Sequence, residues 1–484
     1  MARVAAVCLL LCLILAASLL AGPGDFSPVD SALLQDNLYA GGFMGSPLSP
    51  SPAAVVVNGS GAVVYTWGFS GMIVSAKASS RGVVMSGFIR GRGGSSGFVV
   101  VLQGKNARSF SVVGDSDVYV SDGFLEGDVL VMAGYFYRRG SRDADVFVAK
   151  IGLNGSILGA RCFGSRDYPD TARRIIAGEG GYYVVGDTWA YNVSQSDVLL
   201  LRLGVDLSLR ESFSVGGASL ETGEDVVLMP NGDYVVIGTT ESEGVAQGFA
   251  ARVSRVGGLL WLRGYRTLGD TFLKRAWLDP TTGRVYVVGA GVFDEEHGRE
   301  PFVLVLDEVW GWSFNESGLI IVRAEPSQSL SGVISEGRVI LHRSGGLTVM
   351  SLSGLAFDYA VSPPTLNGTY ILDDSGELPY YARSFYGWRV LRGVVSERAC
   401  PNLAAEEVNA SASTLSIYMQ EIRGSRKLFE RRFDLGLAVR RFVERNVPIF
   451  LLMPVAIALL AILFFALKAK LLSTLQVLEH NFNH

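Results

Sequence analysis

Cysteine is scarce: four residues in a chain of 484, with Cys8 and Cys12 inside an apolar N-terminal run. That excludes a disulfide-dense scaffold and leaves Cys162 and Cys400 for the body of the chain. The repeat positions described below set these two far apart, so both read chiefly as small apolar residues, with a disulfide as the alternative. Histidine is equally rare, and His480 and His484 lie at the very end. Neither His297 nor His342 has the sequence spacing of a metal site. Lysine supplies only seven of 42 basic residues, and the formal net charge of −4 gives no basic footprint for nucleic acid. H-E-x-x-H, P-loop and C-x-x-C motifs are missing, which removes the zincin, nucleotide and dithiol signatures. No catalytic residue, metal ligand or cofactor is therefore expected, and the balance leans away from an enzyme.

Apolar residues are abundant, at 49% of the chain alongside 58 glycines, enough for a sizeable core. Two long apolar runs lie near the ends. "MARVAAVCLLLCLILAASLLAG" sets Arg3 before an uncharged stretch, the pattern of a secretory signal peptide over residues 1–21. Residues 447–467 carry no charge. At about 1.5 Å per residue, a helix of that length spans the roughly 30 Å hydrocarbon layer. Lys468 and Lys470 follow, which assigns 468–484 to a cytoplasmic tail. The juxtamembrane neck, 423–446, holds eight basic residues against three acidic ones and runs against a simple positive-inside count. Six N-x-S/T sequons argue the other way, at Asn58, Asn154, Asn192, Asn315, Asn367 and Asn409. All lie between the two apolar runs, where each is a glycosylation site if that part of the chain is outside. The expectation is a single-pass glycoprotein of the cell membrane with most of its chain extracytoplasmic.

The body repeats. A glycine closes an apolar strand at Gly87, Gly134, Gly186, Gly238 and Gly289, with further strands at 97–102, 145–151, 197–203, 248–253 and 301–306 in step. Each unit of about 50 residues holds four short strands joined by turns such as "PNGD" and "GLNGS", which place Asn and Gly where positive φ is needed. A four-stranded sheet apolar on both faces must stack on others, and radial stacking gives a β-propeller. The unit "LNGSILGARCFGSRDYPDTARRIIAGEGGYYVVGDTW" resembles the propeller repeat of secreted archaeal and bacterial proteins, over about residues 80–310. The resemblance implies an all-β fold and no particular activity. A degraded sixth copy falls at 337–352, and 387–395 with 414–422 are expected to make a seventh. Residues 53–69 are expected to lend a strand that closes the ring. Seven blades are expected, with six or eight as alternatives, over an ectodomain of 53–422. Residues 22–52 read as a leader or linker.

Candidate site residues are few. Asp117, Asp170, Asp225 and Asp270 occupy the corner before the innermost strand of successive units. If the copies are equivalent, these acids ring one face near the axis, where they would meet a cation or a basic ligand. Alternatively each caps its own corner by accepting backbone N–H groups. Trp310 and Trp312 in "EVWGWSF" are the aromatic candidates for stacking on a glycan. The expected function is a membrane-anchored binding or scaffold module for an extracellular protein or glycan. The alternatives are a membrane-tethered hydrolase with its site at the propeller mouth and an accessory subunit of an envelope complex.

Overall fold

The computed structural model describes residues 26–426, except 36, 47–48, 59–60, 92, 105, 138–140, 142, 166–167, 191–194, 242–243, 294–298, 310–312, 324–330, 336, 344–345, 352–354, 361–370, 374–387, 416–417 and 424. The chain divides into two compact units, Met1–Phe429 and Glu430–His484, and everything described belongs to the first. The expected signal peptide, the membrane span 447–467 and the tail lie outside the described residues. Among the described residues, no helix is long and apolar enough to cross a membrane.

The described chain is all β. Its strands form seven sheets in sequence order, each built on four consecutive antiparallel strands. We number the sheets one to seven by their innermost strands: Ser27–Leu34, Ser70–Ser79, Val118–Glu126, Asp170–Gly178, Glu221–Leu228, Phe272–Leu278 and Ser331–Ser335. Each innermost strand packs on the next, and the last packs on the first, giving a propeller-like ring. The core lies between neighbouring sheets. Val184, Leu199 and Leu201 of sheet four meet Val131, Val146 and Phe163 of sheet three, all buried. Strands such as Gly181–Thr188, buried at every position, must be apolar on both faces because each face meets a neighbouring sheet.

Three sequence expectations are corrected here. Residues 22–52 are not a plain linker: Ser27–Leu34 and Asn37–Met44 pair with each other and begin sheet one. Residues 53–69 do not patch the last blade but supply the third and fourth strands of sheet one, Ser51–Asn58 and Gly61–Thr66. The third correction concerns the seventh copy expected at 387–395 with 414–422, which is not a sheet of its own. Its strands are spread around the ring as added outer strands. Arg389–Arg392 joins sheet four, Ser396–Arg398 sheet three, Ala404–Glu407 sheet two and Ser411–Leu415 sheet one. Tyr418–Arg423 then joins sheet seven, and Ser425–Arg426 pairs with Ile371–Asp373 at the edge of sheet six. This belt runs round the rim opposite to the order of the sheets. It covers strand edges that would otherwise present unpaired backbone groups. Short runs such as "RVLR" and "AAEE" carry no repeat signature, because each needs only to match one pre-existing edge.

The belt is fastened by a disulfide between Cys162, on the outer strand of sheet three, and Cys400. Their Cα atoms are 5.2 Å apart despite 238 residues of sequence separation. Distance along the repeat was therefore misleading: Cys400 is on the belt, which passes sheet three. We expect the double substitution Cys162→Ser, Cys400→Ser to cost roughly 2–5 kcal/mol, read as a lower melting temperature that reductant reproduces in the native chain.

The repeat glycine has a specific cause. The innermost strands of sheets one to six each carry a β-bulge, at Val29, Val74, Ser121, Arg173, Glu224 and Lys274. The bulge brings the preceding carbonyl against the second strand. A Cβ on Gly87, Gly134, Gly186 or Gly238 would lie 1.8–2.0 Å from the oxygen of Met72, Tyr119, Thr171 or Thr222 respectively. Gly42 makes the same approach to Ser27. Sheet seven lacks the glycine and pairs without a bulge. Close backbone approach, and no unusual φ, is thus what the position demands. Gly186→Ala should destabilise by about 1–3 kcal/mol in urea unfolding. Gly159→Ala, where the added Cβ meets nothing within 4 Å, should stay within about 0.5 kcal/mol of the parent.

Candidate functional site

The residue after each bulge is Asp30, Ser75, Asp122, Arg174, Asp225 or Arg275, so charge enters an otherwise apolar strand at the same depth in the ring. Arg174, 4% exposed, donates to Asp30 and Asp122 at 2.9 Å each and to the Ser75 hydroxyl at 2.7 Å. Arg275 reaches Asp30 at 2.7 Å, and Lys77 reaches Asp122 at 2.8 Å and the Ile175 carbonyl. Each of the three carboxylates also accepts a backbone N–H from the following sheet: Asp30 from Ala76, Asp122 from Ile175 and Asp225 from Ala276. Asp30 and Asp122 are thus ion-paired with Arg174, Arg275 and Lys77 where the innermost strands converge, and Asp225 is held by backbone N–H groups with Arg174 and Lys77 nearby. Burial alone would push the Asp122 carboxyl up, but Lys77 and Arg174 more than offset it and hold it down at about 2. Burial holds the His342 imidazole down at about 4, so at neutral pH it is an uncharged partner for the Ser31 hydroxyl, 3.0 Å away.

Beside this network lies a more exposed layer with two chemically different arcs, one built on the bulge residues Arg173, Glu224 and Lys274 and the other on aromatic rings. On sheets four to six it is ionic: Arg173 binds Asp187 at 2.9 Å and Glu224 at 3.5 Å, and Lys274 binds Glu224 at 3.1 Å. On sheets two and three it is aromatic. Tyr119 stacks on Tyr135 with centroids 5.1 Å apart, and Tyr137 and Phe88 meet Tyr119 edge-on at 6.0 and 5.4 Å. Arg90 lies over the Phe88 ring at 5.4 Å. All four rings are half-buried. Burial pushes the Tyr135 hydroxyl up to about 12, with Arg173 and Asp187 among the charges it senses, so the arcs adjoin. Such a surface suits stacking and hydrogen bonding to a ligand.

The four aspartates singled out from the sequence are not equivalent. Asp225 belongs to the axial network. Asp170 begins its strand, and the pairings Ala172↔Gly186 and Gly223↔Gly238 make Glu221 its counterpart. Asp117 and Asp270 precede their strands. Each of the four accepts a backbone N–H: Asp117 from Ser95, Asp170 from Ser165, Asp225 from Val226 and Ala276, and Asp270 from Ala246. Corner capping accounts for the bonds of Asp117, Asp170 and Asp270, whereas Asp225 bonds within its own strand and to the innermost strand of sheet six, so the four do not occupy one equivalent position. Trp310 and Trp312 lie outside the described residues. Of the sequons, Asn154 and Asn409 are exposed, Asn58 closes a strand, and Asn315 lies on the strand Ser313–Arg323. Asn192 and Asn367 lie outside the described residues.

Asp30, Asp122, Arg174 and the tyrosine arc went unseen in the sequence. Aligning the units on their innermost strands would have exposed the three charged residues, as a column of charge in "SPVDSA", "YVSDGF", "TARRII", "TGEDVV" and "FLKRAW". "GGSSG" (93–97) also has G-x-S-x-G spacing. It lies along the strand Gly94–Gln103 with Ser95 bonded to Tyr119 and Asp117, and is not a strand-to-helix elbow. Among the described residues, no group of three or more His, Cys, Asp or Glu is placed to hold a metal ion. Compared with known proteins, the chain matches no family model and no curated protein.

Burial pushes the Glu221 carboxyl from its ordinary 4.5 up to about 7, against hydrogen bonds from Gly217 and Thr240. A raised carboxyl holds its proton better in the folded state. Its contribution to stability is therefore full below about 4.5 and is lost as pH rises through about 7. Glu221→Gln should flatten the melting temperature against pH across that window. A slope equal to the parent's would show that the group does not titrate there.

Proposed function

We propose that this protein is a cell-surface binding module: an extracytoplasmic propeller, held to the membrane by residues 447–467, that takes a glycan or protein ligand at its aromatic and ionic mouth. The observation that carries this reading is the neutralised network on the axis. Carboxylates converge there, but each is engaged by a cation or a backbone N–H, so the axis offers a plug and no free acid–base pair. Partly exposed chemistry is found one layer out, in Tyr119, Tyr135, Tyr137, Arg173 and Lys274.

A disulfide joining distant parts of the chain fits an oxidising compartment. The six sequons and the uncharged run 447–467 agree with the same location. Expression of the full chain through a glycosylating secretory route should give a membrane-bound protein, with one glycan fewer on Asn154→Gln and on Asn409→Gln. Unchanged mass for both variants would count against an outside location.

Binding is tested on an immobilised glycan panel and by pull-down from solubilised membranes. We expect Tyr119→Ala with Tyr137→Ala to weaken capture at least ~10-fold, as for lost aromatic anchors, with the axial network still supporting a cooperative melt. Turnover of glycosides or peptides by the parent protein, with no retained ligand, would overturn the reading in favour of a hydrolase.

A further inference from the structure

On sheets two and three the mouth carries a guanidinium and a carboxylate beside its rings. Side chains alternate along a strand, so Phe88 and Arg90 share one face of Gly82–Gly91, and Tyr135 and Tyr137 share one face of Val129–Tyr137. Tyr119 meets both sets, paired in register with Tyr135 and edge-on to Phe88. Arg90 is exposed with its guanidinium over Phe88, and among the described residues no acid pairs with it. Its cross-strand partner is Ser95. The Ser95 hydroxyl accepts from the Tyr119 hydroxyl at 2.9 Å, and the Ser95 N–H donates to Asp117 at 2.6 Å. Burial, then Tyr119 and then Asp117 push the Tyr137 hydroxyl up, which sets Asp117 beside that ring too.

We propose that this patch is a subsite for one uncharged pyranose of a glycan, with the apolar face of the sugar on the rings and its hydroxyls between Arg90 and Asp117. The proposal rests on the reading of the mouth as a ligand site and narrows it to one ligand class.

The donor and acceptor set favours a sugar. A guanidinium only donates and a carboxylate only accepts, so a group that satisfies both must do both. A sugar hydroxyl does, and a pyranose also offers a flat C–H face to an aromatic ring. Charge excludes the two obvious rivals. Asp117, with exposed Asp115 nearby in the chain, repels a uronate or a sulfate. Arg90 already occupies the place of a cation over Phe88, which disfavours a basic side chain or an amine. The rings are also set before a ligand arrives. Tyr119 and Tyr135 stack with planes 14° apart, and Tyr137 stands edge-on to both. Rings fixed in advance lower the ordering cost of binding.

Titration of the full chain in detergent with neutral gluco-, galacto- and manno-oligosaccharides, and with their uronate- and amine-bearing counterparts, tests it. At least one neutral probe should bind at least ~10-fold tighter than its charged counterparts. Arg90→Leu and Asp117→Asn should each weaken it at least ~10-fold with the melting temperature unchanged. Asn still accepts from the Ser95 N–H, and Asp117→Asn should also narrow the preference over the uronate, which a purely structural role would not move. Tighter binding of a charged counterpart, capture of a protein alone, or neutral binding indifferent to both substitutions would overturn the proposal. The mouth would remain a ligand site if that binding still fell with Tyr119→Ala and Tyr137→Ala. Failure of every probe, with membrane pull-down equally indifferent to the tyrosine pair, would overturn both readings.

Discussion

Arg174 is the hinge of the arrangement. A guanidinium buried to 4% exposure is costly to desolvate, and it is held by carboxylates from two other sheets, Asp30 and Asp122. Each carboxylate is in turn held by another cation and by a backbone N–H. Removing one member would therefore leave several buried charges without counterparts, so the sheets around the axis are fixed as a set. Hydrophobic packing between neighbouring sheets fixes only who is next to whom. Asp30 adds a constraint across the ring, because Arg174 and Arg275 come from sheets four and six.

The bulge links that network to the repeat. An extra residue in each innermost strand turns a charged side chain towards the axis and pushes the preceding carbonyl into the second strand. Only glycine leaves space there. The periodic glycine and the axial charges are thus two consequences of one backbone irregularity. Sheet seven shows the converse: it has neither glycine nor bulge, and what it brings to the axis is neutral His342.

Most of the ring was legible in the sequence because the repeat glycine and the apolar strands have a fixed period. Sheets two to six were placed by that signal, and sheet seven by its remnant at 337–352. Sheet one was not, because "NLYAGGFM" buries its repeat glycine among Pro- and Ser-rich flanks that read as linker. The belt was illegible for a different reason. Its strands are three to six residues long apart from the last, and their register is dictated by edges far away in sequence, so nothing local encodes them. The same holds for Cys162 and Cys400. The corner aspartates were visible as residues, but their partners, backbone N–H groups on nearby strands and loops, leave no trace in composition.

The belt also sets an order of assembly. Each of its strands needs the outer edge of a different sheet, so the full belt can be laid only when six sheets stand side by side. The first blade to be synthesised is held against the last, so ring closure must wait for nearly the whole chain. Only afterwards can the rim be wrapped, and Cys400 meets Cys162 only once the wrapping has passed sheet three. The covalent bond therefore latches the start of the belt to sheet three, and the strands that follow it are carried round sheets two, one, seven and six from that fixed point.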